Sequence, residues 1–375
     1  MFQATSKFQT ISKFQATSKL QNILKGLLLV VLAGAVHAAP PAIRASTDWK
    51  EVIEPGEPKL FADFADEINK IQDNTAAQDN MPLARGFHIK THSILTGEFK
   101  VADGLPEECR QGVFAKPGTY QTWIRFSNLK PQRLPDRNPD FRAIAVKILN
   151  VPGTPLTAGV NSLDLMALNH PIQPARNIHQ FIAFVRYSFH LLTFPIKLAA
   201  AIGVMEATRM ITWMTKNLGG APSSLANQTY WSTIPIAWGK YAVKYKFEPQ
   251  NGASPPINQN GGEHFLRDEL GDRLKKGALT WDLYVQFYTD PQNTPIEDAV
   301  VEWLPEKAPF IKVGTLTIAQ RDLTSVNAQA EETRGDKFLW NPWHAPEEHR
   351  PLGGLQRARR ISYPASGKHR GMTQP

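Results

Sequence analysis

The hydrophobic pattern changes period partway along this chain. From Phe61 to Ile71 apolar residues recur at helical spacing and predict an amphipathic helix. From about Phe87 the apolar runs are short and alternate with period two, as strands do. Tyr241, Val243, Tyr245 and Phe247 alternate with Lys240, Lys244 and Lys246, and Trp281, Leu283, Val285 and Phe287 alternate with Asp282, Tyr284 and Gln286. Each run predicts a strand with one dry and one wetter face. One long insertion, Phe181 to Asn217, is apolar along most of its length, and Pro195 is expected to divide it into two helical halves packed on the strands. A sharper reading makes it a greasy collar that contacts lipid or guides an apolar substrate. Periodicity alone predicts a mixed α+β chain.

Before these elements lies a leader of a different kind. Four hexads (FQATSK, FQTISK, FQATSK, LQNILK) precede the apolar run Gly26 to Val36 and then His37-Ala38-Ala39-Pro40. The run is too short to span a bilayer comfortably, which takes about 20 apolar residues. Its length suits a secretory h-region, with a small-residue cleavage site at Val36-His37-Ala38. The expectation is therefore a signal peptide over 1–38 and a chain exported to the periplasm or secreted after cleavage near Ala38. The acid-free, Lys/Ser/Thr-rich hexads leave an organellar address as the alternative, and an uncleaved amphipathic anchor as the plainest one. Residues 39–80 read as a proline-rich N-terminal arm and helix, and 81–375 as the functional domain.

Composition narrows the class. The 375 residues are 42% hydrophobic, enough for a substantial core. The formal charge is +8, but removing the four leader lysines from 42 Lys+Arg against 34 Asp+Glu leaves +4. The remaining basic residues are unclustered, which argues against a nucleic-acid partner. The lone Cys109 excludes an intramolecular disulfide.

Chemistry concentrates in four ordered motifs. They are Arg85-Gly86-Phe87-His88-Ile89-Lys90, then Arg125-Phe126-Ser127, then Asp140-Phe141-Arg142-Ala143-Ile144-Ala145-Val146-Lys147, and finally Arg359 with Tyr363 one helical turn later and Arg370 beyond. A tyrosine flanked by guanidinium groups can serve as a phenolate ligand to ferric iron. Its unperturbed pKa of about 10 must then fall by several units under metal and cationic neighbours. In isolation an Arg and a Tyr four residues apart are an ordinary helical packing pair. The other three motifs, in order, change that reading.

Together the motifs resemble the haem-catalase patterns R-x-x-H-x-K, R-F-S, D-x-R-x-x-A-V-K and R-x-x-x-Y, and the resemblance runs from about Pro82 to Arg370. The late segments Trp281 to Phe287 and Ile311 to Thr317 resemble the family's late strands, and Asn341 to Gly354, leading on to Tyr363, is most similar to the small, divergent, single-domain catalase-like proteins. The resemblance implies an α+β fold, a catalase-like antiparallel β-barrel core with helical insertions. It implies haem b, and hence iron, as cofactor, with Tyr363 as the metal ligand. It makes His88 the acid–base residue of peroxide cleavage, oriented by Ser127. Arg85, Arg125 and Arg370 would hold the haem carboxylates, Phe181 would face the ring, and Arg359 would face the phenolate. The implied partner is a peroxide substrate. A homo-oligomer and peripheral lipid contact through 181–217 are open.

Departures from the family pattern matter. Leu168 falls where the distal asparagine is expected, so that role is either lost or taken over by Asn169. Phe87 replaces a smaller residue before His88, Gln173 and Pro174 replace paired phenylalanines before Arg176, and Ala365 and Gly367 replace the usual residues after the tyrosine. Three activities are therefore carried forward: hydrogen peroxide decomposition, a peroxidase or organic-hydroperoxide enzyme, and a non-catalytic haem-binding protein. His344, Glu347 and His349 mimic a zinc motif, but Pro342 and Pro346 disfavour the helix that such spacing requires. Asn227-Gln228-Thr229 is a formal glycosylation sequon.

Overall fold

Among the described residues nine strands form one sheet that curls until its ends meet. In the computed structural model, which describes residues 44–188, 192–218, 222–256 and 261–372, the strands are β1 Thr91–Val101, β2 Thr119–Asn128, β3 Arg142–Leu149, β4 Ser162–Leu168, β5 Tyr230–Trp231, β6 Ile236–Trp238, β7 Tyr241–Pro249, β8 Leu279–Phe287 and β9 Ile311–Ile318. All neighbours pair antiparallel. Pairing of β1 with β9 and of β5 with β7 closes an eight-stranded barrel, and β6 adds to the side of β7. Closure leaves the eight strands without a free edge. The expected leader, 1–38, lies outside the described residues.

Alternation decides what fills the barrel. Ile124 and Phe126 of β2, Ile144, Val146 and Ile148 of β3, Leu163 and Leu165 of β4, and Trp281, Leu283, Val285 and Phe287 of β8 point inward into one buried cluster. The wetter faces expected on β7 and β8 are covered too. Lys244 donates to Val301 O, Gln286 Nε2 donates to Trp303 O and Ala308 O, and Asp282 pairs with Lys312 at 2.8 Å. The segment between β8 and β9 wraps this face, so polar residues that alternation assigned to solvent are buried but partnered.

Seven helices stand outside the barrel among the described residues: α1 Glu57–Asp79, α2 Ile178–Tyr187, α3 Phe194–Ile202, α4 Val204–Asn217, α5 Phe265–Lys276, α6 Val326–Asp336 and α7 Gly354–His369. The helical spacing seen from Phe61 becomes the buried face of α1, with Phe61, Phe64, Ala65, Ile68, Gln72 and Thr75 turned inward. That face packs along α7, and Gln72 Nε2 donates to Ala84 O (2.6 Å) and Ser366 O (3.4 Å), tying helix, loop and helix together.

The insertion departs from the two halves expected of it. It contains three helices, because Pro195 sits in the first turn of α3, where a missing N–H is harmless, and the break falls at Gly203 (φ +86°) between α3 and α4. Trp213 of α4 stacks on Phe141 (5.5 Å) and meets His170 edge-on (4.6 Å), clamping the insertion to the barrel.

The irregular segment before α1 is strapped to its own chain. Ser46 N donates to Tyr288 O, Trp49 Nε1 to Lys240 O, and Glu51 accepts from Gly353 N and Arg357. Arg357 also pairs with Glu57 and Glu297, so a single guanidinium joins the arm, α1 and the start of α7.

Candidate active site

The outward residues of β2, β3 and β4 form one wall of a cavity of about 820 Å³, and α1, α2, α3, α4 and α7 contribute to the others. The same alternation that sends Ile124 and Phe126 into the barrel sends Arg125 and Ser127 to this outer side, and Ala143, Ala145, Met166 and Leu168 follow from β3 and β4. On α7, Leu355, Arg359, Ser362, Tyr363 and Ser366 line the cavity at helical intervals, with Arg370 at the helix end. Of the expected site residues, Arg85, His88, Arg125, Ser127, Phe181, Arg359, Tyr363 and Arg370 all reach this cavity.

Asn169 does not. Its Oδ1 accepts from Arg142 N at 2.8 Å and its Nδ2 donates to Gln228 at 3.3 Å, which turns the amide away from the cavity and leaves Leu168 on the lining. The period of two forces this: adjacent strand-end residues face opposite sides, so Asn169 cannot replace Leu168 without a register change.

His88 is fixed by its backbone. Its φ of +58° is left-handed, a conformation few residues other than glycine adopt. Its N–H donates to Leu129 O (2.9 Å) and its carbonyl accepts from Arg125 Nη2 (2.5 Å). The ring Nδ1 lies 3.3 Å from Ser127 Oγ. Gly86, two residues earlier, faces Ile68 of α1 so closely that a Cβ there would stand 2.6 Å from Ile68 Cγ2. Burial pushes the His88 imidazole down to about 3, and the Arg125, Arg359 and Arg85 guanidinium groups add to the shift. The ring is therefore neutral at ordinary pH and has a lone pair to accept a proton.

The cavity is cationic on its polar side. Burial holds Arg125 well below its ordinary value, with repulsion from Arg85 and Arg370 contributing, and Arg370 is pushed down to about 10 by burial and then Arg85. One nearby carboxylate answers them. Asp336, at the end of α6, binds Arg85 at 2.8 Å; burial would raise its carboxyl, but the Arg85 charge holds it below the usual range. Sequence reasoning missed Asp336, since nothing in its local pattern marks it.

These features suit an anionic prosthetic group. Arg125 Nε is buried without a hydrogen-bond partner, and the Tyr363 hydroxyl makes no hydrogen bond to the described residues; its ring instead faces the Arg359 guanidinium at 5.9 Å. Among the described residues no three His, Cys, Asp or Glu side chains are grouped so as to hold a metal ion, so a metal ligated by Tyr363 would need its other ligands from the group that carries it. A planar dicarboxylate macrocycle meets these needs: a phenol oxygen for the metal, arginines for the carboxylates, and Phe181 as apolar wall.

Other motif residues serve the frame. Lys90 pairs with buried Asp136 at 2.6 Å, and the Arg142 guanidinium donates to Asp136 O. Lys147 pairs with Asp164 at 2.7 Å, beside His344. His349 is buried and its Nε2 accepts from Val113 N–H, and His344 Nδ1 lies 3.2 Å from Lys147 Nζ.

No family model and no curated protein matches the sequence. Solved structures do. A fungal catalase aligns with a TM-score of 0.61 at 16% identity, covering 89% of this chain and 66% of that one. A bacterial catalase aligns at 0.60 and 17% identity, covering 92% and 69%. Catalase A from Saccharomyces cerevisiae aligns at 0.57 and 17%, covering 90% and 69%. The fold is catalase-like, and the chain spans about two thirds of the length of these catalases.

Proposed function

We propose that the protein is a haem b-dependent oxidoreductase that cleaves the O–O bond of peroxides. The observation that carries this reading is the convergence, in a single cavity, of a neutral His88 beside Ser127 with Tyr363 and four arginines. Haem b, when bound, would supply the redox-active iron. Tyr363 would offer its phenol oxygen to that iron, and Arg359 would favour the ionised phenol. Arg85, Arg125 and Arg370 would receive the carboxylates, satisfying Arg125 Nε and relieving the mutual repulsion of the guanidinium groups.

His88 would move the proton. Donation from Nδ1–H to Ser127 Oγ leaves Nε2 with a lone pair, which can take the proton from one peroxide oxygen and return it to the other. Burial keeps the ring neutral, so that its lone pair is free to accept that proton. Asn169 would take no part, since its amide is held by Arg142 N and Gln228, and Leu168 offers peroxide no polar partner from the end of β4.

The test is oxygen evolution and peroxidase turnover by the chain from Ala39 reconstituted with haem, compared with His88→Ala and Tyr363→Phe. His88→Ala should lose about 100-fold or more in rate while keeping the haem spectrum. Unchanged turnover in His88→Ala, or an unchanged ferric spectrum in Tyr363→Phe, would sink the assignment. Export after cleavage near Ala38 belongs to the same proposal and is read by N-terminal sequencing of the mature protein. Exposed Leu192, Ile196, Val204 and Met205 support peripheral lipid contact by the insertion, which vesicle flotation would detect.

A further inference from the structure

Of Arg85, Arg125 and Arg370, only Arg85 is held by a carboxylate among the described residues. Asp336 grips it twice: Arg85 Nη1 donates to the Asp336 carboxylate at 2.8 Å and Nη2 to the Asp336 backbone carbonyl at 3.0 Å. Arg125 uses Nη2 on His88 O and Thr91 Oγ1 and keeps Nε without a partner, and Arg370 reaches Ser366 O through Nε. The fork that could best receive a carboxylate is therefore already engaged.

Asp336 is poorly placed for a purely structural residue. It closes α6, and an acidic group in the last turn opposes the helix dipole. The acidic neighbours Glu331 and Glu332 on the same helix pair with Arg321 and Arg267, neither of which lines the cavity. The Asp336 side chain is 59% exposed, against 15% for Arg85, so it supplies little packing. Burial would raise its carboxyl, yet Arg85, Arg125 and Arg370 together hold it below the usual range, so one carboxylate feels the whole cationic group.

We infer that Asp336 is a competing carboxylate, which holds Arg85 in the cofactor-free protein and yields it to a carboxylate of the bound macrocycle, weakening cofactor retention. The inference rests on the proposed reading of the three arginines as the carboxylate site and deepens it. A guanidinium fork grips one carboxylate through two parallel bonds. With Asp336 Oδ1 on Nη1, an incoming carboxylate must displace it or make fewer bonds beside a like charge. Either course lowers affinity, and either ends when position 336 is uncharged. The backbone carbonyl bond to Nη2 does not depend on the side chain, so Arg85 keeps its place after substitution.

The test titrates the cofactor-free protein with two metal-free probes, protoporphyrin IX and its dimethyl ester. Binding is read by quenching of tryptophan fluorescence, to which Trp340 on the lining contributes. Without iron, Tyr363 adds no metal bond, and the two probes differ in their carboxylates. Asp336→Asn should tighten the diacid about tenfold at low ionic strength, the worth of one half-exposed charge-assisted bond, and move the diester by less than about twofold. Sodium chloride at about 0.5 M should remove most of that gain, because it screens exposed charges. Asp336→Glu keeps a carboxylate and should bind both probes as the unsubstituted chain does. Asp336→Ser, which has no amide oxygen to rebuild the contact, should repeat the Asn result. A diacid affinity unchanged or weakened in both neutral variants, or an equal gain by the diester, would reject the competition and leave the arginine site standing. If the unsubstituted chain binds neither probe, the carboxylate reading of the arginines fails, and the role of Asp336 fails with it.

Discussion

Two buried histidines should make the fold acid-labile well above the carboxylate range. His92 and His349 are each 1% exposed. His349 lies against Trp238 and Phe114 and uses its Nε2 lone pair to accept from Val113 N–H, so protonating that nitrogen would break the bond as well as bury a charge. Burial pushes it down to about 3. His92 bonds Asn128 and faces Asp136, Arg142 and Lys90; burial pushes it down to about 4, against the pull of Asp136. In the unfolded chain both titrate near 6.5. The stability from the neutral rings is therefore complete above about pH 6.5 and is lost as pH falls toward 4, because the unfolded state takes up protons that the folded state refuses.

Each such ring contributes a slope of about 1.4 kcal/mol per pH unit across that window, so at pH 4.5 His92 and His349 together remove about 5 kcal/mol, and His88, pushed down to about 3, adds a similar share, a sum comparable with the whole stability of a modest domain. Carboxyls held low, such as Asp164 and Glu51, lose their contribution only at more acidic pH. Urea unfolding of the haem-free protein, followed by tryptophan fluorescence from pH 7.5 to 4.5, reads the slope directly. His349→Gln keeps an acceptor for Val113 N–H without a titratable ring and should remove about a third of the loss, since His88 and His92 carry the rest. If the variant and the wild type lost the same stability over this range, the assignment of the acid transition to buried neutral histidine would be refuted.

Further outcomes follow from single contacts. Asp164→Asn leaves Lys147, 2% exposed, without its carboxylate, and should cost about 3–5 kcal/mol in urea unfolding; a cost below about 1 kcal/mol would show that the pair adds little. Gly86→Ala drives a Cβ toward Ile68 and should cost about 1–3 kcal/mol while loosening the His88 loop, visible as faster amide exchange over 85–88; unchanged exchange would contradict the packing argument. Leu168→Asn restores a polar side chain to the cavity wall and should raise oxygen evolution from hydrogen peroxide by about tenfold or more, since a single donor at a reacting centre is commonly worth that much. No increase in a haem-loaded variant would show that Leu168 does not limit dismutation.

Local pattern made much of the site legible. Arg359, Tyr363 and Ser366 share one helix face because a helix repeats every 3.6 residues, and Arg125 and Ser127 share one strand face because a strand repeats every two. The helix from Phe61, the late strands and the alternation of β8 are likewise short-range facts, fixed by which neighbours must be buried together. What required the folded chain is everything set by long-range pairing. Barrel closure rests on Tyr230 meeting Phe247 and Glu98 meeting Thr317, and no periodicity reports a partner so distant in sequence.

Burial of Lys244, Asp282 and Gln286 also lay outside the pattern, because alternation names two faces but not what covers the second. Asp336 approaches Arg85 across 251 positions, and Asn169 turns away because Arg142 N and Gln228 hold it. Composition and spacing thus chose the chemical groups and their local faces. Tertiary packing chose which of them share a cavity, since hydrophobic burial is non-directional and only the closed chain gives each polar group its partner.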